Sequence, residues 1–269
     1  MPLSRQPRLP RNPTAVFGYL SRMSSTTRLS VALAALSLTL TGCGSSNPYE
    51  GLDDVQLFEI GLNEYEEGDY DNAAKALDRL LISFGSSEHL VDARLLLAHS
   101  YYGKRDYLTA RSEYTRFLDR YASHEDAPVA ALGVCRSLVA LSPEPQRDQA
   151  YTLDAMSICR NVAVDYSGTE SAATAAELAN DMRIKLAEKE FLNASFYFRR
   201  RMYDSAIIYF GTVAELYPDT EWAPKALLGL YQANTAIGYL DLAEEARERL
   251  LTAYPESVEA QSISSDGSG

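Results

Sequence analysis

Apolar and polar positions along this chain recur with a long period. An alanine precedes an aromatic residue by 11 positions five times, at Ala73 and Phe84, Ala110 and Tyr121, Ala155 and Tyr166, Ala206 and Tyr217, and Ala243 and Tyr254. Four positions before these aromatics stand apolar residues, Leu80, Phe117, Val162, Val213 and Leu250, and four after the first four stand Glu88, Glu125, Glu170 and Glu221. Spacings of 4 and 11 return a side chain to the same face of a helix, so each stretch predicts a helix with one buried stripe. The alanines lie 37, 45, 51 and 37 residues apart, an array with regular ends and an enlarged middle.

Each unit divides into two helices around a turn. In the first, Asp53 or Asp54 caps a helix carrying Leu57, Ile60, Gly61 and Tyr65. Gly68-Asp69-Tyr70 turns the chain, and a second helix carries Ala73, Leu77, Leu80 and Phe84. One such pair cannot bury its apolar faces alone, whereas stacked neighbours can. In the third unit Ser142-Pro143-Glu144-Pro145-Gln146-Arg147-Asp148 inserts a loop, with Asp148 expected to cap the next helix. From Glu170 to Arg201 no proline or glycine occurs, which predicts a helix of about 45 Å that overhangs its neighbours.

These positions resemble the tetratricopeptide repeat (TPR). Leu57, Ile60, Gly61, Gly68, Tyr70, Ala73, Leu77 and Leu80 fall on its signature in unit one, and Leu97, Ala98, Tyr102, Tyr107, Ala110 and Tyr114 in unit two. Unit three keeps Ala155, Cys159 and Val162; unit four keeps Ala194, Phe198, Tyr203, Ala206 and Phe210. Pro218 and Pro255 match the repeat-ending proline, and Arg247 departs from the pattern as a last helix with one solvent face would. The resemblance implies an all-α, right-handed helical solenoid of about five helix pairs over residues 53–255. The units run over approximately 53–87, 88–124, 125–169, 170–220 and 221–255.

A different apolar pattern precedes the array. Arg28 is followed by the uncharged run Leu29 to Leu40, then the small Thr41 and Gly42, then Cys43. Basic start, apolar middle and small-residue end predict a signal peptide over residues 1–42, with Met23 as a second candidate start. At about 12 to 14 residues the run falls short of the roughly 20 that a spanning helix needs. Leu40-Thr41-Gly42-Cys43 resembles the bacterial lipobox, whose cysteine is acylated and becomes the first mature residue. The resemblance implies a covalent diacylglycerol and N-acyl lipid on Cys43, with no other cofactor. Buried acyl chains contribute about 0.8 kcal/mol per CH2, so several together make a firm anchor. Gly44, rather than the aspartate that signals inner-membrane retention, implies the periplasmic face of the outer membrane. Residues 43–52 read as a flexible tether and residues 256–269 as a disordered tail.

Removing residues 1–42, which hold Arg5, Arg8, Arg11, Arg22 and Arg28 and no acid, takes the net charge from −12 to −17. So acidic a body argues against nucleic acid and against lying flat on anionic lipid. No catalytic constellation emerges, and the chain reads as a non-enzyme. His89, His99 and His124 lack the i, i+4 spacing of metal ligands, and the two beside repeat junctions are expected to be solvated. Cys135 and Cys159 lie on apolar helix faces of unit three; two buried thiols are the expectation, a disulfide the alternative.

The order of motifs resembles the BamD (YfiO) family, TPR lipoproteins of the outer-membrane β-barrel assembly machine. The matching stretches are the lipobox and tether, Gly68-Asp69-Tyr70-Asp71-Asn72-Ala73, Gln146-Arg147-Asp148, Lys185 to Phe191, and Tyr217-Pro218-Asp219-Thr220. The resemblance implies a BamA-like, POTRA-containing barrel protein as partner of the C-terminal repeats and unfolded outer-membrane proteins as ligands of the N-terminal repeats. Candidate partner-binding residues are Tyr65, Tyr101 and Tyr102 on first helices, and the basic cluster Arg199, Arg200 and Arg201. The alternatives are inter-repeat packing for the tyrosines and helix C-terminal charge complementation for the arginines. Rival readings are a pilus or secretin pilot, a Tol-Pal coordinator, or an accessory domain of a cell-wall hydrolase. Uniform 34-residue repeats usually mark the first two, and spacings of 45 and 51 weigh against them.

Overall fold

A computed structural model of the chain describes residues 49–265; Leu40, Thr41, Gly42 and Cys43, with the rest of the leader, lie outside the described residues. Among the described residues every regular element is helical. Unit one is α1 (Asp54–Glu66) and α2 (Tyr70–Ser83), and unit two is α3 (Leu90–Gly103) and α4 (Tyr107–Tyr121). Unit three is α5 (Ala127–Leu141) and α6 (Ala150–Asp165), and unit four is α7 (Glu170–Arg199) and α8 (Tyr203–Leu216). Unit five is α9 (Trp222–Ile237) and α10 (Leu240–Ala253), and α11 (Val258–Ser265) follows it. Each helix packs on its successor through α10, and α11 packs on α9 and α10; the fold is a TPR-type helical solenoid.

Local chemistry sets the helix ends. The Gln56 N–H donates to Asp53 Oδ1 at 2.8 Å and the Asp53 N–H donates to Gln56 Oε1 at 3.1 Å, a reciprocal cap that starts α1. Asp69 and Asp106 accept from the N–H groups of Asn72 and Thr109 and start α2 and α4. The turn inside each of four units needs one left-handed residue. Gly68 (φ 82°) and Gly238 (φ 83°) supply it freely, whereas Arg105 (φ 64°) and Arg201 (φ 60°) hold it against their own Cβ.

The repeat alanines Ala73, Ala110, Ala155 and Ala206 are fully buried, and Ala243 nearly so. Helices approach closely where a glycine faces a large side chain. A Cβ on Gly133 would lie 2.5 Å from the Tyr114 ring, and one on Gly229 the same distance from Phe210. In unit three the tight turn is replaced by the Ser142–Asp148 loop, held by α7. Lys185 Nζ donates to Ser142 Oγ at 2.9 Å, and Lys189 Nζ donates to the Arg147 carbonyl at 2.8 Å. Buried Gln149 donates to the Glu144 and Arg147 carbonyls from inside the loop.

Several expectations are corrected. Cys135 and Cys159 form a disulfide between α5 and α6 rather than standing as two thiols, their Cα atoms 4.9 Å apart in a fully buried position. Within residues 256–269, expected to be a disordered tail, Val258–Ser265 form α11, because Ala260 and Ile263, three residues apart, bury against unit five. Asp148 does accept the Ala150 N–H at 3.0 Å, but Gln149 occupies the cap position of α6. His89 and His124 are half-buried rather than fully solvated rings. His89 stacks on Phe58 at 4.7 Å, and His124 meets Phe117 edge to face at 6.0 Å. The long helix runs 30 residues, Glu170–Arg199, and packs on α5 and α6 of unit three, on its partner α8 and on α9 of unit five.

Candidate functional site

A cavity of about 500 Å³ opens on units one to three. Tyr65 and Tyr70 of unit one, His99 and Tyr102 of α3, and Tyr107 and Tyr114 of α4 form its walls. Val129, Leu132 and Gly133 of α5 form its apolar side, and Arg105 and Arg136 stand at its rim as exposed cations. The rings hold one another. Tyr65 meets Tyr70 edge-on at 5.4 Å, Tyr102 meets Tyr107 at 5.3 Å, and His99 meets Tyr114 at 5.4 Å. Such pairs fix the rings in place, so little side-chain freedom remains to be lost on binding.

Electrostatics keeps the cavity wall neutral and hydrogen-bonding. Burial raises the hydroxyl pKa values of Tyr65, Tyr102 and Tyr114 above the ordinary tyrosine value, so the phenols remain donors. Burial lowers the His99 pKa, and the charge of Arg136 lowers it further. Neutral His99 shares a 2.7 Å hydrogen bond between Nδ1 and the Tyr114 hydroxyl. Apolar ring faces, phenol donors and two rim guanidinium groups suit an extended segment with aromatic side chains and a carboxylate nearby.

The sequence candidates divide. Tyr65 and Tyr102 come together in this cavity. Tyr101 turns away to donate to Asp78 Oδ2 of α2 at 3.0 Å, and burial with the Asp78 charge pushes its pKa up to about 12. It is an inter-repeat packing residue. The arginine cluster also splits: Arg199 lines cavities at the end of α7, Arg200 lies 4.1 Å from the Phe196 ring centre, and Arg201 supplies the left-handed turn. Sequence reasoning missed His99, Tyr114, Arg105 and Arg136 as site residues. Tyr114 was visible as a repeat signature and His99 as the neighbour of signature Ala98; Arg136 sits in the next unit, with no local signal linking it to the site.

A second surface lies at the end of α7. Phe196, Tyr197, Tyr209 and Arg199 line a hollow of about 450 Å³, with Tyr197 and Tyr209 stacked at 5.4 Å. Among the described residues no group of three or more His, Cys, Asp or Glu is placed to hold a metal, and no helix is long and apolar enough to cross a membrane.

The family model for YfiO, described as outer membrane lipoprotein, matches residues 51–250. The putative outer membrane protein assembly factor BamD of Aquifex aeolicus is 28% identical over 178 residues, covering 65% of this chain and 58% of that protein. This chain thus spans less than two thirds of that relative's length. The outer membrane protein assembly factor BamD of Caulobacter vibrioides is 27% identical over 225 residues, 81% of this chain and 72% of that protein. Among solved structures, the TPR2AB-domain:pHSP90-complex of yeast Sti1 aligns with a TM-score of 0.42 and 11% identity, covering 77% of this chain and 80% of that one.

Proposed function

The chain belongs to the YfiO family of outer membrane lipoproteins, and from that premise we propose that it is a non-enzymatic scaffold for assembling outer-membrane proteins. In this reading acylated Cys43 holds it to the outer membrane on the periplasmic side. The tyrosine-lined cavity of units one to three takes extended segments of unfolded outer-membrane proteins. The end of α7 and unit four take the POTRA segment of a barrel-forming partner, against the stacked Tyr197 and Tyr209. The observation that carries the reading is the cavity itself, a rigid aromatic slot flanked by Arg105 and Arg136 in a strongly acidic chain. Preset rings and rim cations give a passing segment affinity without demanding a fixed sequence, which suits a scaffold that handles many clients.

The test is affinity purification of the acylated protein from detergent-solubilised membranes. Recovery of a POTRA-bearing barrel protein with its clients is expected. Recovery of a secretin, or of Pal with peptidoglycan factors, would overturn the proposal.

A further inference from the structure

The tyrosine-lined cavity has a counterpart displaced by a constant interval. Tyr102, Tyr107, Tyr114 and Gly133 recur as Phe198, Tyr203, Phe210 and Gly229, each 96 residues on. The geometry recurs with them. Tyr102 and Tyr107 meet edge to face at 5.3 Å, as Phe198 and Tyr203 do at 5.4 Å, and Gly133 under Tyr114 is matched by Gly229 under Phe210. Arg105 and Arg201 share the left-handed turn at the same interval. At the second position the fold again leaves a cavity, of about 360 Å³, between α7, α8 and α9.

We propose that this second cavity is a binding slot for an extended peptide segment that presents a phenylalanine-like side chain beside an acidic one. This rests on the reading of the first cavity as a peptide slot, from which the second takes its register. The exchanged residues set the preference. Phe198 and Phe210 stand where the first cavity has tyrosines, and Ser195 stands where it has His99, so the wall loses phenol and imidazole partners. A ligand hydroxyl buried there meets fewer hydrogen-bonding partners, which favours phenylalanine over tyrosine.

Two cations set the charge preference. Arg199 stands where the first cavity has Gly103, and Lys225 where it has Val129. Lys225 Nζ lies 2.8 Å from Glu221 and 4.2 Å from the Trp222 ring centre, while no ion pair among the described residues includes Arg199, which is exposed. The fold itself already brings one acid to this wall, Glu259 of α11.

The test uses the full chain in detergent and a capped ten-residue peptide of alternating serine and threonine with one Phe-Asp step. A second version carries benzoylphenylalanine at the aromatic position for photo-crosslinking. Crosslinks to α7, α8 and α9 are expected in addition to those in the first cavity. Arg199→Glu should weaken the binding at the second slot about tenfold, and a Phe-Lys probe should bind as poorly. Gln232→Arg, which restores the arginine that the first cavity carries at Arg136, should tighten it, a gain that misfolding cannot produce. Labelling confined to the first cavity, or equal affinity in Arg199→Glu, would overturn the second slot while leaving the first reading intact. Labelling confined to the second would support this slot and remove the first cavity's role.

Discussion

Gly133 lies so close beneath Tyr114 that a single added carbon would sit 2.5 Å from Cε1 and Cζ of the ring. The contact joins unit two to unit three and places the phenol that pairs with His99. Gly133→Ala should push the ring out of position. We expect a loss of about 1–3 kcal/mol, read as a lower urea midpoint, because overpacking of a buried contact costs that much. Peptide affinity at the first cavity should fall with it, and Gly229→Ala should do the same at the second.

The Cys135–Cys159 bond closes a 24-residue separation across the Ser142–Asp148 insertion. Constraining the unfolded chain over such a loop is worth about 3 kcal/mol. The double change Cys135→Ala and Cys159→Ala should therefore lower the urea midpoint without altering helix content at low denaturant. Because both sulfurs are buried, mild reductant should leave the native protein oxidised and act only as the chain unfolds.

Much of this fold was legible before any coordinates, and the reasons are specific. The Ala–aromatic spacing found all five pairs because helix faces repeat in sequence, and the absence of proline and glycine marked α7. The disulfide stood only as the alternative to two thiols because spacing along the chain does not say where two Cβ vectors point once an insertion intervenes. α11 was missed because Ser262, Ser264, Ser265 and the Asp-Gly-Ser-Gly that follows give the end of the chain a polar, turn-like composition, while two apolar residues, Ala260 and Ile263, decide the helix packing. Of the site, Tyr65 and Tyr102 were readable as first-helix aromatics. Tyr101 was indistinguishable from Tyr102 until the partner helix placed Asp78 against it.

Arg105 and Arg201 adopt left-handed backbone at φ 64° and 60°, where their counterparts in units one and five are glycines. Arg105→Gly and Arg201→Gly should each stabilise the fold by up to about 1 kcal/mol in thermal or urea unfolding, the cost of a non-glycine residue in that region. Arg105→Gly should nonetheless weaken acidic peptides at the first cavity, whose rim it lines. Greater stability with weaker binding would show that the strain is kept for the guanidinium.

His99 carries a pH dependence whose sign follows from its surroundings. Burial and then Arg136 hold its folded pKa below the ordinary 6.5, with Asp126 opposing more weakly. Above that ordinary value the ring is neutral in both states and contributes nothing. As pH falls below it, the unfolded chain gains a proton that the native ring resists, so stability is lost until the folded pKa is passed. His99→Gln should flatten this part of the melting-temperature profile between pH 7 and pH 5 relative to the parent protein.

Cys43→Ala should leave the helical body folded and move it from the membrane fraction to the soluble periplasmic fraction. Circular dichroism and fractionation read the two outcomes separately. A variant that stays with the membrane in high salt and alkaline carbonate would contradict the lipid anchor.

α7 runs its 30 residues without a proline or glycine and packs against unit three on one side and α9 of unit five on the other, besides its own partner α8. It serves as a splint across the centre of the array, tying unit three to unit five. One of the two cavities is built on this splint, and the other is lined by units one and two together with α5, which packs on the splint, so the gap between them is set by the protein. A client reaching both must carry its aromatic residues at a matching interval. Spacing along the client, and not composition alone, then becomes a property on which the solenoid can select.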